Sequence, residues 1–198
     1  MSFNLRTSQS FQDVFAFQTV GNNGTYIEIG AREPINMSNT YNLEIEGNWS
    51  GFSLEIDKTF EPLWNNESRR KNAIFWEDAL TFNYFEHAKK LSLPTHIGYL
   101  SCDIEPPANT FNALKTVLSQ GFTFDVITFE HDRYNFGTDI ENAANEFLIA
   151  HGYKPAVVDV YTYRKSKKIY YETWYVKNHI DFEKISFEEW LVKYNLIP

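Results

Sequence analysis

The chain has 198 residues, 43% hydrophobic and 22% charged, close to globular averages, so one domain spanning residues 1–198 is the simplest organisation and extended disorder is not expected. Lys and Arg number 18 against 26 Asp and Glu, and the resulting net charge of −8 argues against a nucleic-acid partner, because that binding rests on neutralising phosphates. The single cysteine, Cys102, excludes an internal disulfide and lies in an apolar run, which suits a core residue in a reducing compartment. Residues Met1-Ser2-Phe3-Asn4-Leu5-Arg6 lead into no long apolar stretch, so no signal peptide or membrane contact is expected and the expected location is cytoplasmic.

In chain order, Ser10-Phe11-Gln12-Asp13 predicts a helix start, with Ser10 as cap and Asp13 completing a capping-box-like pattern. Tyr26 to Ala31 reads as a buried strand turning at Gly30, followed by a helix over Asn36 to Glu46 that Pro34 starts and Gly47 ends. Phe52 to Asp57 is a second strand, Phe60 to Asn66 a short helix, and Ala73 to Trp76 a third strand running into Glu77 and Asp78. A fourth strand, Ile97 to Ile104, ends in Asp103 and Glu105 and precedes a helix over Asn109 to Ser119. The fifth, Phe124 to Phe129, ends in Glu130, His131 and Asp132 and precedes a helix over Asp139 to His151. Strands alternating with helices predict an α/β protein with a mostly parallel sheet and helices on both faces.

The end of the chain differs. Pro155 to Tyr163 and Ile169 to Val176 are joined by Arg164 to Lys168, too short for a parallel crossover, so they predict an antiparallel hairpin whose cations Arg164, Lys165, Lys167 and Lys168 form a solvated tip. Ser186 and Glu189 form a capping box for a last helix, with Phe187, Trp190, Leu191 and Tyr194 facing either the body of the chain or the second copy of a homodimer.

The first two strands end side by side in a βαβ unit, where Gly30 and Ala31 offer close-approach backbone and Glu55 a carboxylate able to chelate a ribose diol. A dinucleotide would favour a G-x-G-x-x-G turn around its pyrophosphate. The turn here, Gly30-Ala31-Arg32-Glu33-Pro34, has one glycine and an added negative charge, which suits S-adenosylmethionine, a nucleoside with no phosphate and a positive sulfonium.

Six motifs in order carry a resemblance to a family: Ser8-Gln9 with Gln12-Asp13; Glu28-x-Gly30-Ala31 with Ser38-Asn39-Thr40; Trp49-x-Gly51 leading to Glu55; Asp78-Ala79; Tyr99 to Glu105; and Ile127-Thr128-Phe129-Glu130-His131. On these the chain resembles the FkbM-type S-adenosylmethionine-dependent methyltransferases over residues 8–176, with 181–198 as a C-terminal helical extension. The resemblance implies a Rossmann-like methyltransferase fold, a seven-stranded sheet of order 3-2-1-4-5-7-6 completed by the hairpin. It also implies roles: Glu28, Gly30 and Ala31 at the methionine end, Glu55 on the ribose, Ile56 packing on adenine, and Asp78 and Ala79 at the adenine edge. Gln9 and Asn39 belong with the cofactor-binding set, and Asp103 faces the cofactor's amino group or the substrate. Two departures stand out, Pro106-Pro107 where the family often has glycine, and Arg32-Glu33-Pro34 in the first turn.

The function expected is methyl transfer to a hydroxyl of a carbohydrate or related small molecule, the alternative being a non-catalytic S-adenosylmethionine-binding or structural protein of the same fold. His131, beside Asp103 at the strand ends and oriented by Glu130 or Asp132, is the expected base, with a structural histidine at a strand end as the competing reading. Asp103, Glu105, His131 and Asp132 leave a divalent ion open, although no ligand spacing is diagnostic and no metal residue is assigned.

Overall fold

The computed structural model describes residues 7–196; residues 1–6, read above for a leader, and residues 197–198 lie outside the described residues. Eight strands form one sheet: β1 Thr25–Ile29, β2 Ser50–Leu54, β3 Ala73–Phe75, β4 His96–Cys102, β5 Thr123–Glu130, β6 Tyr153–Arg164, β7 Lys167–Lys177 and β8 Ile185–Ser186. Their order is β3-β2-β1-β4-β5-β7-β6-β8. β1 to β5 run parallel, and β7 lies antiparallel to both β5 and β6. The expected sheet is therefore present, with one addition. The two-residue β8 pairs parallel to β6, Val157 opposite Ile185, and is too short to leave a strand pattern in the sequence.

Helices α1 Gln12–Val20, α2 Tyr41–Ile45, α3 Glu61–Asn66, α4 Tyr84–Lys90, α5 Pro107–Ser119, α6 Arg133–Phe136, α7 Asp139–Ala150 and α8 Phe187–Lys193 surround the sheet. The period-2 alternation of each strand divides the core in two. Ile27, Ile29, Phe52, Leu54, Leu100, Cys102, Ile127 and Phe129 pack with α5 and α7 residues such as Leu114, Val117 and Leu148. Tyr26, Tyr99, Val126 and Trp174 pack with Val14, Phe15 and Ala16 of α1 and with Trp190 and Leu191 of α8.

Three local expectations are corrected. The helix expected over Asn36 to Glu46 is only α2, because Ser38 Oγ accepts the amides of Thr40 (3.3 Å) and Tyr41 (3.1 Å) and fixes the start late. The preceding residues stay a loop, bridged to the N-terminal segment through Ser8 and Met37. Ser10 does not cap α1: its hydroxyl donates to Tyr161 O (3.1 Å) and accepts from Tyr171 (2.8 Å), while Phe11 takes the N-cap position at φ 68°. Asp13 instead accepts from Ser8 and from Asn42 Nδ2 (2.9 Å), tying α1 to α2. Two short helices, α4 and α6, are additional to those predicted. The first had a readable cap, Asn83 accepting the Glu86 amide.

The Ser186–Glu189 capping box is present as expected and sets the direction of α8. Phe187, Trp190 and Leu191 are buried against this chain's own second core, with Trp190 edge-on to Trp174 (centroids 5.1 Å) and to Phe15 (6.1 Å). Among the described residues no helix is long and apolar enough to cross a membrane. Trp190→Ala is expected to lower unfolding free energy by about 3–5 kcal/mol, measured by urea denaturation, since it opens a large cavity between α1, α8 and the sheet.

Candidate functional site

Strand register decides what lies at the carboxyl end of the sheet. Ile29 of β1 is level with Leu54 of β2 and Cys102 of β4, and Cys102 with Phe129 of β5. One residue further along each strand the row reads Glu55, Gly30, Asp103 and Glu130, and Glu130 pairs with Glu172 of β7. By alternation this row shares a sheet face with Glu28, Ser53, Ser101 and Thr128 two residues back. The α1/α2 face therefore grades from aromatic and apolar, through hydroxyls, to carboxylates.

Glu28, Gly30, Glu55, Asp103 and Glu130 line a cavity of about 760 Å³, within the range of small-molecule sites. It lies where the strand order reverses between β1 and β4, the position at which open α/β sheets bind ligands. Gly30 is required there for a reason the sequence did not show. Its φ is +87°, and a Cβ would sit 1.7 Å from the Asp103 carbonyl oxygen, so the residue lets two strand ends meet.

All ten residues expected at the cofactor line this cavity: Gln9, Glu28, Gly30, Ala31, Asn39, Glu55, Ile56, Asp78, Ala79 and Asp103. Glu55 accepts the amides of Arg32 (2.8 Å) at Oε2 and Asp57 (2.8 Å) at Oε1, which holds the carboxylate in place while each oxygen keeps a lone pair for a diol. Ile56 next to it is 66% exposed, an apolar surface awaiting a partner. Asp78 Oδ1 accepts the Leu80 amide (2.9 Å) and orders the β3 turn beside Ala79. At the other end, Asn39 Nδ2 donates to Ser101 Oγ (2.9 Å), and its buried Oδ1 has no partner among the described residues. A diol holder, an apolar platform and an unsatisfied acceptor at opposite ends of one cavity fit the ribose, adenine and methionine ammonium of S-adenosylmethionine.

Glu28 is held by residues absent from the expectation. Thr40 Oγ1 (2.8 Å) and Ser53 Oγ (2.7 Å) donate to it, and Arg70 Nη2 lies 3.8 Å away. Burial raises the Glu28 pKa and the Arg70 charge opposes that rise. Arg70 Nε also lies 2.8 Å from Glu44 Oε2, off the N–H axis, so this contact is an ion pair rather than a hydrogen bond. Arg70 left no signal in the sequence because it sits in an unpatterned connection before β3.

The acceptor side is acidic. Asp103 and Glu130 line the cavity and are hydrogen-bonded to each other. Desolvation, then the neighbouring Asp132 charge, pushes Asp103 up to about 6 against the Glu130 hydrogen bond that favours its anion. Burial and the Asp103 charge push Glu130 well above the usual carboxylate range. Glu172 is also buried and pushed up to about 8, and it accepts from Gln12 Nε2 (2.8 Å) and Trp174 Nε1 (2.8 Å). Its place in the row became visible only through the β5–β7 register.

His131 lies elsewhere. Alternation turns it to the face opposite Glu130, where it is 1% exposed and outside the cavity lining. Its Nε2 contacts Thr173 Oγ1 (3.2 Å), its Nδ1 accepts the Arg133 amide (3.3 Å), and burial with the Arg133 charge lowers its pKa to about 3. This is the arrangement of a structural histidine. It also removes His131 from the expected divalent-ion set, and among the described residues no three His, Cys, Asp or Glu side chains form a metal-binding group. The Pro106-Pro107 departure has a structural role: Pro106 is the N-cap residue and Pro107 the first residue of α5.

No protein-family model matches this chain, and no curated protein matches it in sequence. Solved structures match along most of its length. A candidate rRNA methylase from Clostridium thermocellum aligns at TM-score 0.56 and 11% identity, over 92% of this chain and 100% of that one. A candidate RNA methyltransferase from Pyrococcus horikoshii aligns at 0.53 and 13%, over 85% and 83%. A candidate O-methyltransferase from Klebsiella pneumoniae aligns at 0.53 and 12%, over 90% and 83%. The exclusion of nucleic acid drawn from net charge is thereby corrected: structures of this fold include ones named as rRNA and RNA methyltransferases, and a whole-chain charge is silent about where cations gather. At these identities the likeness establishes the fold, which is the Rossmann-like fold of the class I S-adenosylmethionine-dependent methyltransferases.

Proposed function

We propose that this protein is an S-adenosylmethionine-dependent methyltransferase acting on a sugar hydroxyl, close to the FkbM type in the order of its motifs. The observation that carries the reading is the carboxyl-end row Glu55, Gly30, Asp103 and Glu130, which borders one cavity with a diol holder on one side and a protonatable pair on the other.

Bound there, S-adenosylmethionine supplies an electrophilic methyl group on a sulfonium. Glu55 would hold the ribose, Ile56 and Ala79 the adenine, and Asn39 with the Glu28 end of the cavity the methionine. Asp103, ionised above about pH 6, offers a negative charge compatible with the sulfonium and is the group placed to take a hydroxyl proton. Glu130, hydrogen-bonded to Asp103 and itself raised in pKa, would orient Asp103 and disfavour two adjacent anions. Much of the remaining catalysis comes from holding the acceptor oxygen in line, which the cavity walls Gln12, Ile104 and Asn109 can supply without chemistry of their own.

Titration calorimetry is expected to show binding of S-adenosylmethionine and none of NAD; the reverse result overturns the reading. Glu55→Ala should weaken S-adenosylmethionine binding by about tenfold to a hundredfold, the worth of charged hydrogen bonds to the diol.

The rate of transfer should rise with pH through about 6, because the base must lose its proton and its pKa is raised to that value. Asp103→Asn should abolish the rise and slow transfer by about 10²–10⁴-fold. His131→Ala, by contrast, is expected to leave the pH profile in place.

A further inference from the structure

We propose that the β6–β7 hairpin is a binding arm for single-stranded RNA and that the sugar hydroxyl methylated is presented on that strand; the second half rests on the methyltransferase reading above. In a chain of net charge −8, four cations fall within residues 164–168, Arg164, Lys165, Lys167 and Lys168. They sit at the turn between β6 and β7, where Arg164 pairs with Lys167. Lys168 is occupied by Glu188, whereas Lys165 and Lys167 make no ion pair among the described residues. Arg164 makes no ion pair among the described residues, and its Nη1 lies 3.5 Å from the Tyr134 hydroxyl.

Aromatic rings line the way from tip to cavity. Tyr163 is 64% exposed and Tyr170 37%, and both lie edge-on to Tyr161 (5.7 and 6.1 Å). The antiparallel register fixes the direction. Glu130 pairs with Glu172, so β7 residues before 172 project past the carboxyl end of β5, the end where the cavity opens. Tyr171 is an extra residue in β7, so the distance is measured along β6 from Val160, which is level with Glu172: at about 3.3 Å per residue, Tyr170 stands about 3 Å and Lys167 about 13 Å beyond the carboxylate row. Exposed rings between a cationic tip and an acidic pocket suit a ligand that is anionic along its backbone, flat in its bases and neutral at the reacting sugar. Single-stranded RNA has all three properties, since its phosphates can lie on the cations while bases stack on tyrosines. The carboxylates disfavour phosphate in the cavity, so the part of the strand that reaches it is the uncharged ribose. An anionic membrane would meet the same cations but gives no part for stacked rings beside a closed acidic pocket.

The test is fluorescence anisotropy with a labelled mixed-sequence 20-nucleotide single-stranded RNA, on the full chain. The expected plot of log affinity against log salt has a slope of about −2, from three free cations at about −0.7 each. Lys165→Glu with Lys167→Glu should weaken RNA binding at least tenfold and leave S-adenosylmethionine binding by calorimetry unchanged. Tyr163→Ala should weaken it at least about fivefold through lost stacking. RNA affinity unchanged in the double variant, absence of RNA binding at low salt, or binding to phosphatidylserine vesicles in preference to RNA would each overturn the arm. If the hairpin variants lose RNA binding but the parent binds no S-adenosylmethionine, the arm stands and the methyltransferase reading falls. With both ligands bound, labelled methyl should pass to the RNA and not to DNA of the same sequence; transfer to the DNA overturns the ribose acceptor.

Discussion

The structure depends on keeping a row of carboxylates at the carboxyl end of a tightly packed sheet. Burying charge costs several kcal/mol per ion unless it is compensated, and each member of the row is compensated differently. Glu55 accepts two backbone amides, Asp103 and Glu130 are hydrogen-bonded to each other and raised in pKa by burial, and Glu172, pushed up to about 8, has Gln12 and Trp174 on Oε2. Glu28, two residues inward, is compensated by hydroxyls and Arg70. These differences separate a carboxylate fixed by backbone amides from a hydrogen-bonded pair whose pKa values burial has raised.

Arg70 connects that electrostatic problem to the shape of the pocket. Its guanidinium donates to Pro34 O (3.0 Å), Ser38 Oγ (3.1 Å), Thr40 Oγ1 (2.9 Å) and the Tyr26 hydroxyl (3.1 Å), and it stacks over Trp64 at 4.6 Å. Trp64 in turn donates to Arg32 O (2.8 Å). One buried cation thus pairs with Glu28 and Glu44 and moulds the loop from Arg32 to Thr40 around the Glu28 end of the cavity. That loop stays open instead of becoming the longer helix expected, because its polar groups are already engaged.

The strands were legible because alternation and apolar runs are local properties, and the positions after them, Gly30, Glu55 and Asp103, could be named without coordinates. What was not legible depends on register. Whether Glu130 or His131 faces the cavity turns on a one-residue phase that short apolar strands do not reveal, and of the two residues expected to act in catalysis Asp103 lines the cavity while His131 faces the other side of the sheet. Glu172 required the pairing of a strand more than forty residues away, and Arg70 required a tertiary contact with residues on both sides of α2. The late start of α2 and the uncapped start of α1 failed for a related reason: Ser10 and Asp13 carried the sequence marks of caps but bond to distant partners.

Charge teaches the same distinction between total and placement. Summed over the chain, 18 cations and 26 acids read as a surface that avoids polyanions. Resolved in space, most of the charged residues that line the cavity are acids, and the cations of 164–168 lie on a hairpin tip outside its lining. Separating the two by the length of a few β residues gives one molecule a field unfavourable to phosphate at the cavity and a favourable one a short distance away. A uniform charge distribution with the same total could do neither, because at about 8 Å of screening length the field at the cavity is set by its own walls and not by the rest of the surface.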